Sequence, residues 1–313
     1  MDYIEQAKFE ITAWETQKPG FLNQTADFLL APAEKIAAKL VPNGALDAVV
    51  KAIEASLAGL ASRTTRTFDI EAVQEAVSVG ARNLGGKKPT LAQRLEAADE
   101  KARGSWNDHV GYAAAEGGVT GALGFAGLAA DIPALFSILL RQIQQIGACY
   151  GYDAGAQRER EYVLQVLRAG FATNLEAKMD FIASLKEFEQ IMIKVAWKEM
   201  AEDLAANQLA KFSLLAAVRR SAKRLGIQLT ERKALQMIPF VGFLVGASLN
   251  GTLANDVGKG AYMSYRRRWI AEHARGHGGT SGRNGTRLVA RRTPRHAPTR
   301  KRSKAGAPKE NRE

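Results

Sequence analysis

Between Gly117 and Leu140 the chain runs GGVTGALGFAGLAADIPALFSILL, with Asp131 as the one charge in the stretch. About 20 apolar residues suffice for a helix to cross a bilayer, so the run admits a transmembrane reading. Its small residues and its Asp131-Ile132-Pro133 step argue against a single span. A residue before proline is biased away from helical geometry, which predicts a break near Ile132. Asp131 then N-caps a helix beginning Ile132-Pro133, because proline is tolerated in a first turn. The run becomes two helices of about 15–18 residues meeting at Asp131, and about 18 residues reach only about 27 Å, marginal for the hydrocarbon core.

The small residues recur at regular steps. Ala114, Gly118, Ala122, Ala126 and Ala130 fall four apart, with Gly117 and Gly121 beside them and Gly124 and Gly127 continuing the series. Gly242, Gly246, Asn250, Ala254 and Gly258 repeat the step in a second apolar segment, Ile238 to Gly260. Such ridges let helix backbones approach closely, in water and in membranes alike. Glycine inside a helix costs about 1 kcal/mol relative to alanine, so this many predicts close packing of the two segments on each other at the centre of the fold. A buried helical hairpin and a segment inserted in or docked on a membrane both fit the pattern.

The remainder reads as helix. Ile4, Ala7, Ile11 and Trp14 mark a helix from about Asp2 to Gln17, ended by Pro19-Gly20. Further segments are expected over 21–30, 32–40 and from Asn43 to about Leu60, then from Asp69 to about Asn83. Thr90 with Gln93 has capping-box spacing and opens a helix through about Ser105. Long helices are expected over 157–172 and 175–226, the second broken near Asn207, then one opened by Thr230 and interrupted at Pro239, and one over 261–273. The expected fold is all-α: a compact multi-helix bundle over 1–270 with the two glycine-rich apolar segments at its centre.

Charge divides the chain. Residues 271–313 carry 12 Lys/Arg against 3 Asp/Glu, so they hold +9 of the net +12. No acidic residue occurs from His273 to Lys309, and large apolar residues are scarce there. Such a stretch buries too little surface to offset chain entropy, so a disordered basic tail is expected. It can attract anionic lipid or nucleic acid by charge alone; without interleaved aromatics it gives no sign of stacking recognition. Cys149, the single cysteine, fits a reducing compartment. The start, MDYIEQAKFEITAWE, has no uninterrupted apolar core and predicts no secretory signal.

Two blocks carry a family resemblance. The first is Gly121-Ala-Leu-Gly124-Phe-Ala-Gly127-Leu-Ala-Ala-Asp131-Ile-Pro133, with Leu140-Arg141 and Tyr150-Gly151-Tyr152. The second is Ile238-Pro239-Phe-Val-Gly242 with Gly246 and Asn250, then Ala261-Tyr262 and Tyr265-Arg266-Arg267-Arg268. Together they resemble the EcsC protein family, over about residues 30–270 and most strongly over 90–270. The family's namesake is encoded beside the ATPase and membrane subunits of a bacterial ABC transporter, and its own biochemical role is undefined. The resemblance implies a bacterial protein on the cytoplasmic side, peripheral to or partly inserted in the inner membrane, and a non-enzymatic accessory or regulatory role linked to ABC transport. Its implied partners are the membrane surface or transporter subunits. It carries no catalytic residue across.

No motif names a reaction. Gly121-x-x-Gly124-x-x-Gly127 lacks the GK[ST] ending of a phosphate loop. No HExxH or CxxC occurs, and His109 is the only histidine before residue 270, so neither a metal nor a cofactor is expected. Cys149 and His109 stand forty residues apart, and a lone helical cysteine is usually a small buried thiol. The best candidate site is the polar set Glu116, Asp131, Arg141, Asn250, Asn255 and Asp256. If the two glycine-rich blocks pack together, these groups converge in apolar surroundings, where Arg141 is expected to pair with Asp131 or Asp256. The plainer alternative is that Asp131 caps a helix, Arg141 braces packing and the asparagines satisfy backbone. Two further functions follow from these features: an enzyme or carrier for an apolar small molecule or lipid using the polar set, and nucleic-acid contact through the tail.

Overall fold

The computed structural model describes residues 2–18, 68–122, 124–154, 159–172, 175–198 and 242–275, with positions 51, 55 and 156. All the described helices fall in the unit Met1–His277. Among the described residues the fold is all-α, without strands. The segments expected over 21–60, the break near Asn207, the helix opened by Thr230 and the basic tail lie outside the described residues.

Among the described residues seven helices follow in order: α1 (Tyr3–Thr16), α2 (Ile70–Gly85), α3 (Leu91–Ala122), α4 (Gly124–Cys149), α5 (Arg160–Gly170), α6 (Leu175–Lys198) and α7 (Gly242–Arg275). Helix α1 buries Ala7, Ile11 and Trp14, one stripe at helical spacing. The Asp69 side chain caps α2 by accepting from the amides of Glu71 (2.9 Å) and Ala72 (3.2 Å). Gly86 ends α2 at φ 65°, a left-handed conformation that glycine adopts at least cost. A reciprocal capping box then opens α3: the Gln93 amide donates to Thr90 Oγ1 (3.3 Å) and the Thr90 amide to Gln93 Oε1 (2.9 Å).

Three expected boundaries are overturned. Helix α3 passes Ser105 and runs on to Ala122, because packing against α7 holds its glycine-rich second half helical. The apolar run does not break at Asp131. Helix α4 is continuous from Gly124 to Cys149, with Asp131 and Pro133 inside it, so Asp131 is not an N-cap. An interior proline costs about 3 kcal/mol through its missing N–H and its ring. Here Ile132, Leu135, Phe136 and Leu139 around it are fully buried, and each such side chain contributes about 1.5–3 kcal/mol. Helix α3 is described to Ala122 and α4 from Gly124. Helix α7 likewise runs unbroken through the boundary expected near Gly260.

Helix α7 lies at the centre. It packs most extensively along α3 and also meets α4 and α5, while α2 covers part of α3. The axes come close where side chains are absent. A Cβ built on Gly251 meets the Ala114 Cβ at 3.2 Å, and one on Gly170 meets the Val257 Cα at 2.6 Å. Of the ridge glycines, Gly117, Gly118 and Gly121 are buried on α3, Gly124 and Gly127 belong to α4, and Gly242 and Gly246 open α7. Aromatic layers close the core, with Phe136 against Phe171 (5.9 Å between ring centres) and Tyr162 against Tyr265 (5.0 Å).

Candidate functional site

Asn250 sits on α7 where that helix crosses α3 and α4. Its amide nitrogen donates both hydrogens, one to Glu116 Oε2 of α3 (2.7 Å) and one to Asp131 Oδ1 of α4 (2.7 Å). The Thr120 hydroxyl donates to the same Asp131 oxygen at 2.9 Å. Asp131 and Asn250 are fully buried. The small-residue ridges cause this burial: when helix backbones approach closely, water has no room between them. A polar side chain on the ridge must then find its partner across the contact. One amide thus ties three helices and holds two carboxylates side by side.

The other members of the predicted set lie elsewhere. Arg141 is exposed on α4 and no ion pair joins it to Asp131 or Asp256. Asn255, exposed, and Asp256, half-buried, line a cavity of about 130 Å³ beside Trp14, Lys178 and Lys259. Lys178 of α6 is buried there and closes the end of α1, donating to the carbonyl of Trp14 and to that of Gln17 (2.8 Å). Burial, with Lys259 adding repulsion, pushes its ammonium down to about 8.

The most developed polar structure went unpredicted. Arg266, Arg267 and Arg268 are consecutive on α7, and successive residues of a helix point about 100° apart. Each therefore reaches a different set of neighbours. Arg266 meets Asp99 of α3 (2.7 Å) and Glu10 of α1 (2.6 Å). Arg267 meets Glu15 of α1 (2.8 Å) and Glu189 of α6 (2.7 Å). Arg268 grips both oxygens of Glu159, at the start of α5 (2.6 and 3.0 Å), and Glu272 of its own helix (3.1 Å). Tyrosines fill the remaining acceptor sites: Tyr150 and Tyr3 donate to Asp99 (2.7 and 2.8 Å), Tyr162 to Glu189 (2.9 Å) and Tyr152 to Glu272 (2.9 Å).

Electrostatics follow from this geometry. Burial pulls the Arg266 guanidinium down, but Asp99 and Glu10 more than offset it and hold it above its ordinary value. Burial and the adjacent Asp99 keep the Tyr150 hydroxyl protonated well above the usual range. A signal existed in the sequence. Asp99 stands among Ala97, Ala98 and Ala102 on a face otherwise fit for the core, and a lone acid there requires a cation from elsewhere.

The sequence pattern of the EcsC protein family matches residues 5–270, which overlaps every helix described. The chain belongs to the EcsC protein family. It is similar to the "Uncharacterized protein YdbA" of Bacillus subtilis (strain 168), 28% identical over 178 residues that cover 57% of this chain and 60% of that one. It is also similar to "Protein EcsC" of the same organism, 25% identical over 211 residues, 67% of this chain and 80% of that one. The chain thus spans less than two thirds of the YdbA length. No solved structure matches it.

Within this EcsC fold the other nucleophile candidates are engaged with their own helices. The Cys149 thiol donates to the Gln145 carbonyl (3.3 Å), and burial pushes it up to about 12. A thiol held protonated is a poor nucleophile. His109 Nδ1 bonds the Ser105 carbonyl (2.7 Å), and burial lowers the imidazole below its ordinary value.

Proposed function

We propose that this EcsC-family chain is a non-enzymatic accessory protein that rests on the cytoplasmic face of the membrane and regulates a transport system there. The observation that carries the reading is an exposed apolar stripe at the end of α3. Tyr112, Ala115, Val119 and Ala122 are all exposed, and Tyr112 and Val119 are 61% and 65% accessible. Their spacing places them on one helix face, and no charged residue occurs from Gly117 to Ala130. Large apolar side chains held out on one face fit contact with a partner or a lipid interface. Among the described residues no helix is long and apolar enough to cross a membrane, and the proposed contact is interfacial.

Two other features support the reading. The arginines and carboxylates around α7 are matched to one another, which suits bracing better than catalysis. The net +9 of residues 271–313 adds attraction to anionic lipid, at about 1 kcal/mol per basic residue near the surface. The link to ABC transport rests on the family resemblance.

Vesicle flotation tests the proposal. Full-length protein is expected to float with phosphatidylglycerol-containing vesicles. Tyr112→Glu and Val119→Glu should each cut the bound fraction several-fold at any salt. Removal of 278–313 should instead abolish only the part that fades with salt. Full-length protein that stays with the aqueous phase at low salt, or glutamate variants that float as before, overturns it.

A further inference from the structure

A second cavity, of about 450 Å³, opens where the C-terminal ends of α4 and α7 meet α2 and the start of α3. That volume falls within the range of small-molecule sites, about 300–1,000 Å³. Its floor is apolar: Ala81, Ala98, Cys149 and Trp269 all face it and all are buried. His273 stacks on Trp269 with ring centres 3.9 Å apart, extending the flat wall. The rim is cationic. Arg82, Lys87 and Arg94 line it, and among the described residues none of the lining is acidic.

Those cations are mostly uncommitted. Arg82 pairs with Glu75 on the exposed side of α2 (2.8 Å), a half-solvated contact of small strength. The side chains of Lys87 and Arg94 have no ion-pair or hydrogen-bond partner among the described residues. The turn that carries Lys87 is fixed by Gly86 and by Gln93, whose side-chain nitrogen donates to the Leu84 carbonyl (3.0 Å). On α7 the buried arginines are matched with carboxylates. Here three cations line one cleft with low-dielectric walls, an arrangement that concentrates positive potential.

We propose that this cleft binds a small single-chain anionic amphiphile. Its phosphate or carboxylate head sits among Arg82, Lys87 and Arg94, and its short aliphatic or aromatic body lies on the floor of Trp269, Ala98 and Cys149. The site is separate from the apolar stripe of α3 and does not rest on the membrane proposal.

Calorimetric titration of the full chain with octyl phosphate, below the concentration at which it forms micelles, tests this. Binding at one site per chain is expected. Inorganic phosphate supplies the head alone and octyl glucoside the tail alone, and each should bind at least tenfold more weakly. Lys87→Gln and Arg94→Gln, both at exposed positions, should each weaken octyl phosphate about three- to tenfold. Arg141→Gln, the same loss of charge away from the cleft, and Val119→Glu should leave it unchanged. Absence of octyl phosphate binding, unaltered affinity in the two cleft variants, or equal weakening by Arg141→Gln overturns the proposal. So does binding only to phosphatidylglycerol vesicles in a manner that needs Arg94, which would assign the cleft to a bilayer lipid.

Discussion

Replacing Arg266 with methionine removes the cation that faces Asp99 at 2.7 Å and Glu10 at 2.6 Å. Glu10 lies at the surface and regains water; Asp99 is fully buried and does not. Asp99 keeps the Tyr150 and Tyr3 hydroxyls as donors, but its charge loses the only guanidinium in ion-pair contact with it. Leaving one member of a buried pair costs about 3–5 kcal/mol. Asp99→Asn removes the other member and should cost a similar amount, because a buried Arg266 then faces an amide. If the two losses added, the double variant would lose about 6–10 kcal/mol, much of the about 5–15 kcal/mol that stabilises a native domain. The pair reading predicts otherwise. With both charges gone, Arg266→Met/Asp99→Asn should be no less stable than the worse single variant, so the coupling is at least about 3 kcal/mol. Urea unfolding followed by circular dichroism at the helix band, with an unchanged slope across the four proteins, measures it. Losses that add to within about 0.5 kcal/mol would show that the two side chains act independently and would falsify the description of α7 as an ionic hub.

Asn250→Leu should destabilise the protein by about 3–6 kcal/mol, since two hydrogen bonds to carboxylates are lost at about 1.5–3 kcal/mol each; a loss below 1 kcal/mol in urea unfolding contradicts the bridge. Lys178→Met tests the buried ammonium by its pH dependence. The folded pKa is lowered from 10.5 to about 8, so the unfolded chain holds more protons between these values and wild-type stability should rise with pH across that window, by up to about 3 kcal/mol. The difference curve between wild type and Lys178→Met isolates this term, because Cys149 and the buried tyrosines are common to both; a flat difference from pH 7.5 to 10.5 refutes it. Gly170→Ala sets helix propensity against packing. Propensity alone promises a gain of about 1 kcal/mol, but the new Cβ meets backbone atoms of Val257 at 2.6 and 2.9 Å, which predicts a loss of about 1–3 kcal/mol, and a stabilised variant would show that α5 and α7 have room to part.

Much of the local structure was legible because it is written in short-range chemistry. Asp69, Gly86 and the Thr90–Gln93 pair announce their helix ends within four residues of sequence, and Ala7, Ile11 and Trp14 announce a buried face by spacing alone. The failures share a cause. At Asp131-Ile132-Pro133 and Gly260 the local signals for stopping a helix are real, yet the helices continue because the partner helix supplies more than the local preference costs. The convergence of Glu116, Asp131 and Asn250 was legible once the two ridges were assumed to meet. The expected place of Arg141 was not, because ten residues along one helix carry it about 15 Å from Asp131 and turn it to another face. Residue 131 reads as an end and serves as a middle.

The same reasoning explains why so polar a chain keeps its charges inside. Small residues at Gly251, Ala114 and Gly170 draw the backbones together, and closeness removes water from whatever polar groups stand along the contact. Asn250 answers this with a neutral amide between two acids, while α7 answers it further along with three arginines that fan out to α1, α3, α5 and α6. Buried pairs of this kind add little net stability over well-packed apolar groups. Their larger effect is on alternatives: turning α7 by one residue, about 100°, would leave Asp99, Glu189 and Glu159 each facing the wrong side chain. The ridges make approach possible, and the charges admit one rotation of the helix within it. Lys87 and Arg94, on the cationic rim, stand outside this internal matching, and there the fold has charge to offer a ligand.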